Sequence, residues 1–335
     1  MFEEYKKHDV AVYGGYLSDV SKLMQCTSGG IATAMSEYMI KQGGYVAGVV
    51  YSDDFYSAEY ILTNKISDID RLKGSKYIEC DKKNIYSDVK RLLDSGEKVL
   101  FFGLPCVVAA LYKFIGTRNK NLITCELVCH GPTSAQIHKD YVSYLEDKYS
   151  SKVIDFSVRR KKDFWTPGYL YAKFENGQTF EKPFYETEYG YGFTVFGRER
   201  CYDCKFKGNN RQGDIMIGDF WGAVDTDEYW NRCGVSVIFA ETTTGDAFIT
   251  SIPGISIFST TFEKAVKHNL MVIKSKVKHN NREKFSKLLS KKGLIYASKH
   301  SLPFKTQAIK YASTIIPDKI RPMAKKLYFA IKKKA

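Results

Sequence analysis

Residues 98–106 read Lys-Val-Leu-Phe-Phe-Gly-Leu-Pro-Cys. An apolar run of strand length ends at a glycine, and a proline then stands where a helix would have its first turn. The same order recurs at Leu122 to Val128, where a second apolar run precedes a helical pattern around Ser134 to Leu145. Strands that alternate with helices favour parallel pairing, with the helices covering the sheet. These stretches predict an α/β fold with a mostly parallel sheet.

The alternation extends back to the N-terminus. Apolar or β-branched runs at residues 9–16, 44–51 and 58–63 predict strands, and a helical pattern covers residues 85–93. We therefore assign residues 1–150 to an N-terminal α/β part.

Short extended runs follow at residues 153–158, 169–174 and 179–184. Asn176-Gly177 joins the last two, and this dipeptide is a strong hairpin signal. We predict that residues 151–300 form a second part, with an antiparallel, cysteine-rich addition, and that residues 301–335 form a helical, basic tail.

Composition narrows the class of protein. The chain has 335 residues, of which 44% are hydrophobic and 26% charged, as in globular proteins and not in disordered or fibrous ones. Uncharged runs such as Val99 to Tyr112 fall short of the roughly 18 residues of a membrane span. Acidic residues near Met1 do not resemble an export signal. We expect a cytoplasmic location.

The net charge of +14 is concentrated near the C-terminus. From Thr261 to Ala335 there are 20 Lys and Arg against three acidic residues, so the first 260 residues are nearly neutral. The mixture of lysines and apolar residues at the end is typical of a solvated basic helix, of contact with the anionic inner face of a membrane, or of docking on an acidic partner. Nucleic-acid binding is not expected, because no groove-reading motif accompanies the charge.

Eight cysteines without an export signal argue against a disulfide framework. Cys201 and Cys204 form a C-x-x-C pair, which is typical of a dithiol, half a zinc site or half an iron–sulfur site. Cys106 follows Pro105 at a predicted helix start, where backbone N–H groups favour the thiolate. Cys129 ends a predicted strand.

Because parallel strands end at one edge of a sheet, Cys106 and Cys129 are expected to converge there. A C-x-x-C loop over that edge would complete a set of four thiolates. Such a set suits a [4Fe–4S] cluster or a structural zinc, and both remain open from the residues alone.

Three further segments are candidates for binding. Thr27-Ser28-Gly29-Gly30, with Thr33 one turn later, is an ordinary helix start or a phosphate cradle. Gly74-Ser75-Lys76-Tyr77 offers a cation and an aromatic ring after a turn, and such a segment is commonly surface. Gly218-Asp219-Phe220-Trp221-Gly222 places an acid and two aromatics at a strand end, where they belong to the core or meet a planar cofactor.

Taken together and in order, these blocks resemble the beta-subunit family of coenzyme F-420 hydrogenases and dehydrogenases, over roughly residues 10 to 290. The matching blocks are Ser28-Gly29-Gly30 with Thr33, residues 43–46, 74–77, 98–106, 129–131, 201–205, 214–215, 218–222, 234–236 and 281–285.

The resemblance implies an oxidoreductase that passes electrons between a [4Fe–4S] cluster, FAD and an organic hydride donor or acceptor. It makes four cysteines the cluster ligands: Cys106, Cys129, Cys201 and Cys204. It makes eight residues candidates for the flavin site: Ser28, Gly29, Gly30, Thr33, Lys76, Tyr77, Asp219 and Trp221.

The sequence departs from the family pattern in ways that affect its expected role. No ferredoxin-like, cysteine-rich segment precedes Cys26, so we expect a ferredoxin-type electron donor or acceptor, or a redox subunit, as partner. Leu104 and Val107 flank Pro105-Cys106 where polar residues are usual. Similar relatives suggest a small-molecule or sugar- or lipid-linked substrate in surface-polysaccharide biosynthesis. A scaffold holding zinc or no metal, and a relay subunit without a substrate, are the alternative hypotheses.

Overall fold

A large sheet and a small one form the framework in the computed structural model, which describes residues 11–302. The strands of the large sheet are β1 (Ala11–Leu17), β2 (Tyr45–Tyr51), β3 (Ala58–Thr63), β4 (Val99–Gly103), β5 (Leu122–Leu127), β9 (Ile215–Asp219), β10 (Ser236–Ala240) and β11 (Ile255–Ser259). The small sheet contains β6 (Val153–Arg160), β7 (Tyr169–Phe174) and β8 (Thr179–Pro183).

The strand order of the large sheet is β11-β1-β10-β9-β5-β4-β2-β3. Its centre, β9-β5-β4-β2, is parallel throughout, and antiparallel pairs lie on both sides of it. Five of the eight strands run in one direction, which confirms the mostly parallel sheet. Strands from before and after residue 150 share this sheet.

Helices flank both sheets. They are α1 (Val20–Gln25), α2 (Ile31–Lys41), α3 (Ile69–Leu72), α4 (Ile85–Asp94), α5 (Pro105–Ile115), α6 (Ala135–Tyr149), α7 (Glu188–Val195), α8 (Glu199–Tyr202), α9 (Thr243–Thr250), α10 (Phe262–Lys267) and α11 (Arg282–His300). Apolar residues of α1, α2 and α9 pack on one face of the large sheet. Those of α4 and α5, and separately α10, pack on the other. Successive residues of β4 point to opposite faces of the sheet: Leu100 packs in one core and Phe101 packs in the other.

The small sheet has the antiparallel order β6-β7-β8, as the hairpin signal predicts. Gly177 takes the left-handed backbone that the turn requires, with φ 82°. Residues of β6, β7, α6, α7 and α11 form a separate apolar core beneath it.

The predicted basic tail lies outside the described residues from residue 303 onward. Within residues 11–302, no helix combines the length and the apolar character needed to cross a membrane.

Candidate functional site

The carboxyl edge of the large sheet opens onto a cavity of about 400 Å³. The parallel strands β4, β5 and β9 end at this edge, where crevices of α/β sheets usually bind ligands. The start of α2 and the loop at residues 74–78 complete the wall. Seven of the eight residues expected at the flavin site line the cavity: Ser28, Gly30, Thr33, Lys76, Tyr77, Asp219 and Trp221.

The loop before α2 is held against the sheet by Ser28, whose φ is 52°. Its hydroxyl donates to the carbonyl oxygen of Val235 at 2.9 Å, and the Ser236 hydroxyl donates to it at 3.0 Å. Gly30 is the N-cap of α2 and supplies no side-chain hydrogen bond, and the first-turn residues 31–33 line the cavity. The N–H groups at this helix start therefore suit a phosphate.

Gly29 is the one expected residue that does not line the cavity. Its N–H donates to the Ser236 hydroxyl at 2.9 Å. A Cβ at this position would lie against the carbonyl oxygen of Gly15 and 2.6 Å from the backbone nitrogen of Ser236. Gly29 thus permits the close approach of the loop to β1 and β10.

We expect Gly29→Ala to lower the free energy of unfolding by roughly 3 kcal/mol, because both atoms that it meets belong to the backbone and cannot rotate away. Gly96→Ala is the control, since a Cβ there meets nothing within 4 Å and only the left-handed φ of 82° opposes it. The control should lose about 1–2 kcal/mol in urea unfolding. Equal losses in the two variants would show that the loop does not need this close contact.

Lys76 lines the cavity but directs its ammonium group into the protein. Its Nζ donates to the carbonyl oxygens of Arg71, Leu72 and Lys73 at 2.9, 3.0 and 2.7 Å. Burial, with a smaller contribution from Arg71, lowers the pKa of Lys76 to about 7. Since an ammonium group has three donors, the end of α3 occupies all of them in the charged form.

Arg159, at the end of β6, joins three of the expected residues and was not anticipated from the sequence. Its Nη1 forms an ion pair with Asp219 at 2.9 Å and donates to the Tyr77 hydroxyl at 2.9 Å. Its guanidinium lies 5.6 Å from the ring centroid of Trp221. Burial opposes the charge of Arg159, but the carboxylate of Asp219 and the hydroxyl of Tyr77 outweigh it and raise its pKa. The ion pair fixes one wall of the cavity.

Lys161, also not anticipated, supports the loop before α2. Its buried Nζ donates to the carbonyl oxygens of Leu23 at 2.7 Å and of Ser28 at 2.6 Å. Burial lowers the pKa of Lys161 to about 8. Arg159, near the end of β6, therefore places one cation in the cavity wall, and Lys161, just after this strand, places another against the loop before α2.

Aromatic rings surround the cavity. Tyr77 stacks on Phe193 with centroids 4.5 Å apart. Trp221, 42% exposed, stacks on Trp165 at 4.9 Å. These flat surfaces suit a planar ligand.

The four expected cysteines come from three segments that meet beside the cavity. The pKa of Cys129 is raised to about 11, chiefly by burial and to a smaller extent by the nearby thiols of Cys106 and Cys201, while Lys207 acts to lower it. Burial also raises the pKa of Cys106, with contributions from Cys204 and Cys201. A Cβ on Gly131 would lie 3.2 Å from the Cys201 sulfur. The four thiols therefore share one neighbourhood. The expectation that the helix start favours the Cys106 thiolate is wrong, because burial outweighs the effect of the helix start and raises the pKa of this thiol.

The donor set fits an iron–sulfur cluster, since four cysteines are its usual ligands. Nearby cations would balance the charge of four thiolates: Lys207 donates to the carbonyl oxygen of Cys129 at 2.6 Å, and the ammonium group of Lys276 lies close enough to Cys201 and Cys129 to interact with their charge. The side chains are not arranged for ligation, however. No group of three or more His, Cys, Asp or Glu residues in the described part of the chain is placed to hold a metal ion.

Comparison with known proteins gives a family and a fold. Residues 96–256 match the family model that describes the C terminus of the coenzyme F420 hydrogenase/dehydrogenase beta subunit. A chain of the F420-reducing [NiFe] hydrogenase complex from Methanosarcina barkeri has a similar fold, with a TM-score of 0.51 and 19% identity over 76% of this chain and 84% of that one. No curated protein matches this chain. The matched segment contains the four cysteines, Arg159, Asp219 and Trp221, whereas the loop before α2 and residues 74–77 lie outside it.

Proposed function

We propose that this chain, which belongs to the coenzyme F420 hydrogenase/dehydrogenase beta-subunit family, is an oxidoreductase that uses FAD and a [4Fe–4S] cluster. A redox role of the hydrogenase or dehydrogenase type follows from the family. The observation that carries the proposal of two cofactors is the position of Cys129. This residue lines the cavity and also belongs to the cysteine neighbourhood, so a ligand in the cavity and a cluster on the thiols would be adjacent.

The proposed flavin site is the 400 Å³ cavity, a size within the range of ligand pockets. The N–H groups at the start of α2 and the Thr33 hydroxyl would bind phosphate oxygens. Tyr77 and Trp221 offer aromatic faces, and the Arg159–Asp219 pair holds both in place. When bound, a flavin converts between one-electron and two-electron transfer.

The proposed cluster ligands are Cys106, Cys129, Cys201 and Cys204. Binding requires that the four thiols lose their protons, against the effect of burial on Cys106 and Cys129. The partly buried Lys207 and Lys276 reduce this cost by placing positive charge beside Cys129 and Cys201. The side chains of these four cysteines would have to rearrange to complete the site.

The proposed physiological setting goes beyond the site. We propose a small-molecule or sugar- or lipid-linked substrate, in surface-polysaccharide biosynthesis, and a ferredoxin-type protein or redox subunit as partner. We propose a cytoplasmic location, with contact at the inner membrane face through residues 301–335. The basic and apolar composition of this tail supports the membrane contact.

Anaerobic purification tests the proposal directly. We expect a yellow-brown protein that releases FAD on denaturation and contains about four irons per chain. The measurements are an absorption spectrum, iron and zinc analysis, and chromatography of the released flavin. A colourless protein with one zinc per chain would instead support a scaffold.

A further inference from the structure

A surface segment lies directly over the C-x-x-C loop. The backbone N–H of Lys276 donates to the carbonyl oxygen of Cys201 at 3.2 Å. The Ser275 hydroxyl accepts from the backbone N–H of Cys204 at 2.9 Å. Arg282 donates to the carbonyl oxygen of Gly197 at 3.0 Å. Residues 270–284 therefore form the outer cover of the cysteine neighbourhood.

This cover and the loop beneath it are strongly positive. Residues 196–211 and 270–284 contain ten Lys and Arg against three acidic residues. Each acid is already paired within the two segments: Glu199 with Arg282, Asp203 with Lys205 and Glu283 with Lys278. Acids from elsewhere also reach the region: Glu79 pairs with Arg198, and Glu126 and Glu241 lie close enough to Arg211 to interact with its charge. Ten cations against these six acids still leave an excess of positive charge.

Part of this excess positive charge lies on exposed lysine side chains. Lys274, Lys278 and Lys284 are exposed, and within residues 11–302 neither Lys274 nor Lys284 forms an ion pair. Val277 stands among them with 83% of its surface exposed, the highest value of any large apolar residue in the described chain. We call Lys274, Val277, Lys278 and Lys284 the basic face. An apolar tip with charges around it resembles a docking surface more than an ordinary solvated loop.

We infer that the basic face docks an acidic electron-carrier protein, an inference that rests on the proposed function. Complementary charge steers such a partner to the surface and orients it there. The location favours a protein over an anionic membrane, because the face covers the cysteines and a lipid surface cannot exchange electrons with them. The face also lacks the interleaved aromatic rings of a nucleic-acid platform.

The test measures binding of an acidic ferredoxin to the full-length protein at two salt concentrations. We expect wild-type affinity to fall roughly tenfold between about 25 and 200 mM salt, as charges become screened. The triple variant Lys274→Glu/Lys278→Glu/Lys284→Glu should bind at least about tenfold more weakly at low salt. Val277→Asp, which alters an exposed side chain and should leave the fold intact, should also weaken binding.

The matched control is Lys98→Glu/Lys113→Glu/Lys120→Glu, which changes net charge equally. These exposed lysines lie at the opposite edge of the sheet, since residues 98 and 120 precede β4 and β5 and residue 113 is near the end of α5. Equal weakening by both triple variants, or no ferredoxin binding by wild type, would overturn the inference. The inference would also be overturned if the basic-face variant bound ferredoxin normally and lost only its binding to anionic vesicles. Iron and flavin content, measured on the same samples, report separately on the proposed function.

Discussion

Cys201→Ser and Cys204→Ser should each remove nearly all bound iron from the protein purified without air. Loss of a ligand should lower the metal affinity by more than the roughly 10–100-fold that loss of an outer hydrogen-bond partner causes. Because metal binding contributes folding free energy, both variants should also unfold at lower temperature. Iron analysis and thermal unfolding under anaerobic conditions measure the two effects.

The controls are Cys233→Ser, at a buried cysteine, and Cys80→Ser, at a partly buried one. The thiols that raise the pKa of Cys106 and Cys129 belong to the proposed ligand set, so both control variants should retain iron. Equal iron loss from all four variants would contradict the ligand assignment. Full iron in Cys201→Ser would exclude Cys201 as a ligand.

Arg159→Met should lower the free energy of unfolding by about 3–5 kcal/mol, because it leaves the carboxylate of Asp219 largely buried without its partner. The variant also deprives the Tyr77 hydroxyl of a donor at 2.9 Å. If the cavity binds FAD, flavin occupancy should fall while iron content stays unchanged, since Arg159 contacts the cavity wall and not the cysteines. Urea unfolding and flavin analysis give the two readouts.

Arg160→Met provides the matched control on the same strand. Arg160 is exposed and lies over the Tyr171 ring at 3.8 Å, so its loss should cost less than about 1 kcal/mol. The double variant Arg159→Met/Asp219→Asn should recover part of the stability, because no unpaired charge remains. A single Arg159→Met variant as stable as Arg160→Met would show that the ion pair does not hold the cavity wall.

Many elements were predictable from the sequence because their apolar residues recur at strand or helix spacing. The expected strand at residues 58–63 coincides with β3, and the helix expected at 85–93 is α4 with one more residue. Pairing at the sides was not predictable. β10 and β11 return antiparallel to β1, and a single strand's apolar pattern does not encode the direction of its neighbour.

The helix α7 was missed for a different reason. Residues 185–196 are rich in glycine and aromatic side chains, which favour helices weakly. In the fold, Tyr189, Phe193 and Val195 are buried in the core beneath the small sheet. Tertiary packing therefore overrides the local preference.

Arg159 and Lys161 were missed because residues 159–162 read Arg-Arg-Lys-Lys, a run that is usually solvated. The pairing of β6 with β7 shifts register between Ser157 and Arg160, so Val158 and Arg159 are both buried and Arg160 is exposed. Their partners, Asp219 and the Ser28 carbonyl, are distant in sequence, so no local signal marks the two buried cations as part of the site.

The position of β1 between β10 and β11 has a consequence for synthesis on the ribosome. Gly15 lies beside Ser236, which is translated 221 positions later. At a translation rate of roughly 5–20 residues per second, β1 is synthesised on the order of ten to forty seconds before β10. During that interval both of its edges are unpaired, and the Ser236 hydroxyl that holds Gly29 does not yet exist. The loop before α2 is thus synthesised long before the strands that hold it, and this high contact order slows folding.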